Sequence, residues 1–236
     1  MLGLARNISI GHGGLNIGEW NRHSLVGTEL KNKTIGIVGL GKIGREVMSR
    51  CLSFGMRIMG YDPYITENLF SADEIVLTDL DTLTRESDFI TLHVPMLDST
   101  RNLFDLERIQ MMKPTARIIN VARGGIINEN DLATAIKDGV IAGAAVDVFV
   151  KEPIEKDHPL VNLENVLLTP HLGASTNEAK EGVSIAICEM VRDYLVNQKL
   201  SSALNIPISD MTVLKQIQAH LDLTEQMGII HGQLAQ

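Results

Sequence analysis

Gly39-Leu40-Gly41-Lys42-Ile43-Gly44 directly follows the apolar run Thr34-Ile35-Gly36-Ile37-Val38, and Asp62 stands eighteen residues beyond the last of these glycines. Few folds are open to a chain that leaves a buried strand through closely spaced glycines and enters a helix. The spacing is that of a dinucleotide-binding βαβ unit, and each position has a physical reason. Gly39 permits a tight turn out of the strand, and Gly41 lets bare backbone approach a pyrophosphate. Gly44 lets the following helix pack close to the sheet, with the N–H groups of its first turn aimed at phosphates. Asp62 ends a second apolar run, Met56 to Tyr61. A carboxylate there can accept hydrogen bonds from both hydroxyls of an adenosine ribose, and it would meet a 2′-phosphate as a like charge. The expected cofactor is therefore NAD.

The alternation of strand and helix continues along the chain. Short apolar runs occur at Ile75 to Leu77, Phe89 to Val94, Arg117 to Val121, Ala142 to Phe149 and Val166 to Thr169. Near-continuous apolar runs of this length fit strands buried on both faces, as in a parallel sheet. Helical segments lie between them at Ile43 to Phe54, Leu80 to Arg85, Asp105 to Met112 and Glu129 to Lys137, the last with Asn128 as N-cap and Gly139 as stop. A longer helix is expected from about Thr176 to Asn197, with Val183, Ile187, Met190, Val191 and Tyr194 at helical spacing. The fold class that follows is α/β, a Rossmann-type doubly wound parallel sheet with incomplete flanking segments.

Three regions are expected: residues 1–27 as a connecting helix or loop rich in glycine, 28–200 as the dinucleotide domain, and 201–236 as a C-terminal segment. That last segment has a loop at Pro207, then an amphipathic stripe of Leu214, Ile217, Leu221, Met227, Ile230 and Leu234.

Ligands of open α/β sheets bind at the carboxyl ends of the strands, so the polar groups there carry the most information. Arg123 follows Asn120-Val121-Ala122 and precedes two glycines, a setting in which a guanidinium can make a paired planar contact to a carboxylate. Glu152 lies just past Asp147-Val148-Phe149, and His171 follows Thr169-Pro170. A histidine oriented by a carboxylate forms a general acid/base pair, because the carboxylate fixes the tautomer and stabilises the imidazolium. His93, at the end of another strand, reads as a hydrogen-bonded wall residue rather than a proton carrier. The remaining histidines, His158 among them, have no metal-ligand spacing, and no metal is expected. Asp73, Glu74, Asp79 and Asp81 read as a solvated acidic face.

Composition narrows the partners. Of 236 residues, 44% are hydrophobic, and the formal charge of −8 disfavours nucleic acid as a bulk electrostatic partner. No uninterrupted apolar run reaches the ~18 residues of a membrane span, and the first residues lack the pattern of a secretory signal. Cys51 and Cys188 form no CxxC pair and read as reduced thiols, so a cytoplasmic location is expected.

The chain resembles the D-isomer-specific 2-hydroxyacid dehydrogenase family. The resemblance spans essentially its whole length, through Val38 to Glu46, Ser53 to Met56, Gly60 to Pro63, His93 to Pro95, Asn120 to Gly125, Ala145 to Phe149 with Glu152-Pro153, and Pro170-His171-Leu172-Gly173-Ala174-Ser175-Thr176. The last motif is similar to that of members acting on 3-phosphoglycerate and unlike that of the D-lactate type. The resemblance implies Arg123, Glu152 and His171 as the catalytic residues. It implies contacts to NAD from Lys42, Ile43, Asp62, Val94, Val121, Ala122, Arg123, Asp147 (to the nicotinamide carboxamide), His171, Leu172, Gly173 and Ala174, beside Gly39, Gly41 and Gly44.

The implied reaction is oxidation of 3-phosphoglycerate to 3-phosphohydroxypyruvate on the route to L-serine, in a homodimer or larger homo-oligomer. Other D-2-hydroxyacid dehydrogenases, and NAD-sensing corepressors built on the same fold, are the alternatives. Family members begin with the first part of a substrate-binding domain that this chain lacks, so the sequence reads as a fragment holding the dinucleotide domain and leading into a further one.

Overall fold

The computed structural model describes residues 1–65, 70–71, 74–197, 199 and 211–234. The chain falls into two compact units, Met1–Gly173 and Ala174–Gln236.

In the first unit seven strands form one sheet: β1 (Thr34–Val38), β2 (Arg57–Tyr61), β3 (Val76–Leu77), β4 (Phe89–Leu92), β5 (Arg117–Asn120), β6 (Gly143–Val146) and β7 (Val166–Leu168). Their order is β3-β2-β1-β4-β5-β6-β7, and every neighbouring pair is parallel. The expected doubly wound parallel sheet is thus the observed one. Helices α1 (Leu2–Ala5) and α2 (Ile8–Asn16) precede it, and α3 (Lys42–Ser53), α4 (Leu80–Glu86), α5 (Leu106–Gln110) and α6 (Glu129–Lys137) connect its strands.

Successive side chains of a strand point to opposite faces, and here they feed two separate cores. Ile90, Leu92, Ile118, Ala144 and Val146 enter one, with Leu83, Ile109 and Leu132 from the helices. Ile35, Ile37, Ile58, Phe89, Ile119 and Ala145 enter the other, with Ala5 of α1 and Met48 of α3. The central strands β1, β4 and β6 are buried along their whole length. This two-sided burial is why their sequences run apolar without alternation.

The strands are shorter than the apolar runs that announce them. The run Phe89 to Val94 pairs as a strand only to Leu92, and Ala142 to Phe149 only from Gly143 to Val146. His93 still donates its N–H to Val38 at 2.7 Å and Asp147 to Asn120 at 3.0 Å. Beyond these points the chain turns away, and Val148 and Phe149 are buried as loop residues.

Helix starts follow side-chain capping. Asp79 accepts from the N–H of Thr82, Asp105 from Arg108, and Asn128 from Asn130 and Asp131. The acidic face is exposed at Glu74, Asp79 and Asp81, as expected, and two of its members also have partners. Asp79 is a cap, and Asp81 bonds the Arg108 guanidinium at 2.6 Å, whereas Asp73 lies outside the described residues.

The second unit holds α7 (Asn177–Asn197) and α8 (Met211–Leu234). The hydroxyl of Thr176 accepts from the N–H of Ala179 at 3.0 Å, a cap at the expected start of α7. The loop expected at Pro207 lies outside the described residues, as does the side chain of Leu214. No helix among the described residues is long and apolar enough to cross a membrane.

Candidate active site

From β1 the chain order runs outward through β2 to β3, and β4 begins the other half of the sheet on β1's opposite edge. Connections leaving β1 and β4 therefore diverge, which opens a crevice at their carboxyl ends. The glycine turn sits there. Gly39 has φ +94°, and a Cβ on it would lie 2.5 Å from the carbonyl oxygen of His93 and 2.9 Å from Val94. A Cβ on Gly44 would lie 2.0 Å from the carbonyl oxygen of Gly39. Gly44 thus serves mainly to let α3 fold over the turn itself. Beside Gly41 a Cβ would meet nothing within 4 Å among the described residues, so bare backbone faces open space.

The N-terminus of α3 has neither a capping side chain nor an acidic residue in its first turn, and Lys42 stands there instead. The leading N–H groups of Lys42, Ile43 and Gly44 are left for a ligand anion. Asp62 accepts the N–H of Leu40 on one carboxylate oxygen at 2.9 Å and that of Tyr64 on the other at 3.0 Å. It ties the glycine turn to the end of β2 and keeps acceptor capacity on both oxygens. A bare turn, an uncapped helix terminus and a carboxylate at the ribose end fit a dinucleotide.

His93 behaves as a wall residue. Its Nε2 lies 3.0 Å from the Thr91 hydroxyl, and burial pushes the imidazole down to about 4. The unfolded chain takes up a proton at His93 as pH falls through its ordinary value near 6.5, whereas the folded chain resists until about 4. Acidification across that window should therefore cost stability, by up to about 3 kcal/mol. Urea unfolding at pH 7 and pH 5 tests this, and His93→Gln should remove much of the difference. A His93 resonance titrating near 6.5 in the folded protein would refute it.

The chemistry-bearing groups sit past β5, β6 and β7. Asn120, 2% exposed at the end of β5, donates through its amide to the carbonyl of Arg123 at 2.9 Å and accepts the N–H of Ala122 at 3.1 Å. One buried side chain thus shapes the Val121–Arg123 turn. The exposed Arg123 guanidinium bonds the Ala122 carbonyl at 2.6 Å through one of its N–H groups and retains others for a ligand. A Cβ on Gly124 would fall 2.0 Å from the carbonyl oxygen of Phe149, so this turn lies in backbone contact with the segment leading to Glu152.

Asp147, 3% exposed, plays the matching part after β6. It accepts from the Thr169 hydroxyl at 2.5 Å, the N–H of Leu172 at 2.7 Å and the N–H of Gly173 at 2.8 Å. Burial opposes its charge, yet these donors outweigh burial and hold the carboxyl below its usual range. Three of its acceptor positions are thereby taken within the protein. The main-chain carbonyl of Asp147 also receives the N–H of His171 at 2.9 Å, and His171 is held at φ +55°.

Glu152 accepts the N–H of Phe149 on Oε1 at 2.8 Å, and its Oε2 lies 2.7 Å from Nδ1 of His171. The His171 hydrogen bond, then that from Phe149, keeps the carboxyl below its ordinary range. An apolar cavity of about 540 Å³ lies against the pair, lined by Phe149, Pro153, Ile154, Leu168 and Pro170 among others.

The structure thus joins two of the three expected catalytic groups directly and sets the Arg123 turn against the Glu152 segment. Val121 and Leu172 are exposed on loops at this end of the sheet, and Ile43 is exposed in the first turn of α3. Ala174 opens the second compact unit and is described with it. Sequence reasoning did not single out Asn120, although an amide closing an apolar strand was the available signal. Among the described residues no cluster of three His, Cys, Asp or Glu side chains is placed to hold a metal.

Comparison with known proteins decides the family. Residues 1–173 match the family described as D-isomer specific 2-hydroxyacid dehydrogenase, NAD binding domain. The chain belongs to the D-isomer specific 2-hydroxyacid dehydrogenases. Within this family of dehydrogenases it is 46% identical over 237 residues to a D-3-phosphoglycerate dehydrogenase of Synechocystis, covering all of this chain and 42% of that protein. It is 42% identical over 231 residues to the enzyme of that name from Methanocaldococcus jannaschii, covering 98% of this chain and 44% of that protein. The chain therefore spans less than half the length of these relatives.

Among solved structures, a glyoxylate reductase from Paecilomyes thermophila superposes with TM-score 0.79 at 29% identity, over 87% of this chain and 62% of that one. An NAD-dependent formate dehydrogenase from Staphylococcus aureus, in complex with NAD, gives 0.77 at 32%, over 85% and 60%.

Proposed function

We propose that this domain is the NAD-binding and acid/base half of an enzyme that oxidises 3-phosphoglycerate to 3-phosphohydroxypyruvate. The contact between Glu152 and His171 at 2.7 Å, at the carboxyl end of the sheet, carries the reading. With Glu152 anionic, Nδ1 of His171 keeps its proton and Nε2 is left as the acceptor. His171 then takes the proton of the C2 hydroxyl, and Glu152 stabilises the imidazolium that forms. Arg123 binds the substrate carboxylate and polarises the C2 oxygen as it becomes a carbonyl. Bound NAD supplies the acceptor for the hydride leaving C2.

The substrate choice is supported by the names of the curated relatives, both D-3-phosphoglycerate dehydrogenases, and by the Pro170 to Thr176 motif. Solved neighbours include a glyoxylate reductase, which favours another small 2-hydroxy acid as the second reading. The complete enzyme, assayed for NADH formation, should prefer 3-phosphoglycerate over D-lactate and glycolate. Turnover of the others alone would move the assignment to the second reading. NADH binding by calorimetry without turnover of any 2-hydroxy acid would leave a binding protein.

By the same resemblance the enzyme works in the cytoplasm as a homodimer or larger assembly. Ile17, Trp20 and Val26, at least 75% exposed beyond α2, offer apolar surface for that contact.

A further inference from the structure

Glu129 and His158 lie 29 positions apart in sequence and outside the groups assigned above, yet they meet with His158 Nε2 3.0 Å from Glu129 Oε2. Their side chains are only 15% and 12% exposed. His158 Nδ1 accepts the N–H of Leu160 at 3.3 Å, which fixes the tautomer and makes Nε2 the donor to Glu129. The other oxygen of Glu129 accepts the N–H of Val150 at 2.8 Å. One residue earlier, Phe149 donates its N–H to Glu152 at 2.8 Å, and its ring meets the His158 imidazole edge to face at 5.4 Å. Consecutive amides of one turn are thus held by two carboxylates, Glu152 on the reaction side and Glu129 behind.

Glu129 is the first residue of α6 and follows the Arg123 turn by six positions, so it is anchored to the element that also carries the guanidinium. The chain of contacts runs His158, Glu129, the Phe149–Val150 amides, Glu152, His171.

We propose that Glu129 and His158 are positioning residues for the reaction assigned above: they brace the Phe149–Val150 turn so that Glu152 meets His171 in register with Arg123. The inference rests on that functional reading. Without His158, Glu129 loses its donor and is drawn toward water, which frees Val150. Glu152 then loses the fixed amide that aims its second oxygen. Displacement of an acid/base partner by about 1 Å from a remote change can cost roughly 100-fold.

The test uses the complete enzyme with 3-phosphoglycerate and NAD. His158→Ala should lower kcat roughly 10- to 100-fold and leave the KM for NAD nearly unchanged. His158→Gln, whose amide can donate to Glu129 while its oxygen accepts from Leu160, should recover most of the rate. Amide hydrogen exchange at Phe149 and Val150 should quicken in His158→Ala and return to wild-type protection in His158→Gln. An unchanged kcat in His158→Ala overturns the proposal, as does a parallel loss of kcat and NADH affinity without rescue by Gln. Inactivity of the wild-type enzyme toward every 2-hydroxy acid would instead overturn the functional reading. The exchange comparison would then still decide whether the pair holds the turn.

Discussion

Glu152→Gln in the complete enzyme will lower turnover roughly 10²- to 10⁴-fold while NADH affinity stays close to wild type. Glutamine has nearly the shape of glutamate and can still accept the N–H of Phe149, so the turn survives. Its second terminal atom, however, is an N–H donor where Glu152 presents an acceptor to Nδ1 of His171 at 2.7 Å. The imidazole must then carry its proton on Nε2, the atom meant to receive one from substrate. His171→Asn should cost at least as much. It is a cleaner variant than alanine, since the φ of +55° at this position is one that asparagine adopts readily. Stopped-flow and steady-state rates across pH 6 to 10, with NADH titration of each variant, check the set. A Glu152→Gln enzyme with normal rate would show that the pair does no proton chemistry.

The second large effect is expected at the cofactor. Asp62→Ala should weaken NADH binding by about 2–4 kcal/mol and narrow the preference for NAD over NADP. Two losses combine in this variant. The ribose hydroxyls lose a charged acceptor, and the glycine turn loses the bond that ties the N–H of Leu40 to the end of β2. Asp62→Asn separates them, because an amide oxygen can still accept from Leu40 while the charge is gone. It should therefore fall between wild type and alanine for NADH. Fluorescence titration with both cofactors measures the series. NADH affinity unchanged in Asp62→Ala would mean that this carboxylate serves the turn alone.

The sheet was legible because two-sided burial writes itself as apolar runs, and the runs Phe89 to Val94 and Arg117 to Val121 each held a strand. Strand ends were overrun, because Val148 and Phe149 are as apolar as the strand before them but are buried in a loop. Helix α6 was read to the residue, since Asn128 and Gly139 bracket it with unambiguous chemistry. Glu152 and His171 could be suspected from their places after strands, but their contact crosses 19 positions and comes from the tertiary fold. Glu129 and His158 left no mark at all. A buried pair 29 residues apart has no local period, and each residue taken singly looks like a helix-start acid or a surface histidine. Asp147 was assigned toward a ligand from resemblance, and the structure shows that its oxygens also shape the turn of His171.

Asn120 and Asp147 also bear on how such a site can move. Each is a nearly inaccessible polar group at the end of a strand, and each bonds the loop that follows it or lies beside it. Swinging either loop outward would strand an amide or a carboxylate in the interior, at a cost of about 1–3 kcal/mol for every broken partnership. The loops bearing Arg123 and His171 should therefore approach the sheet in stiffness, with backbone order parameters close to those of β5 and β6. Any rearrangement that brings a ligand to these groups should therefore leave both loops fixed on the sheet, with Arg123 and His171 carried along unaltered.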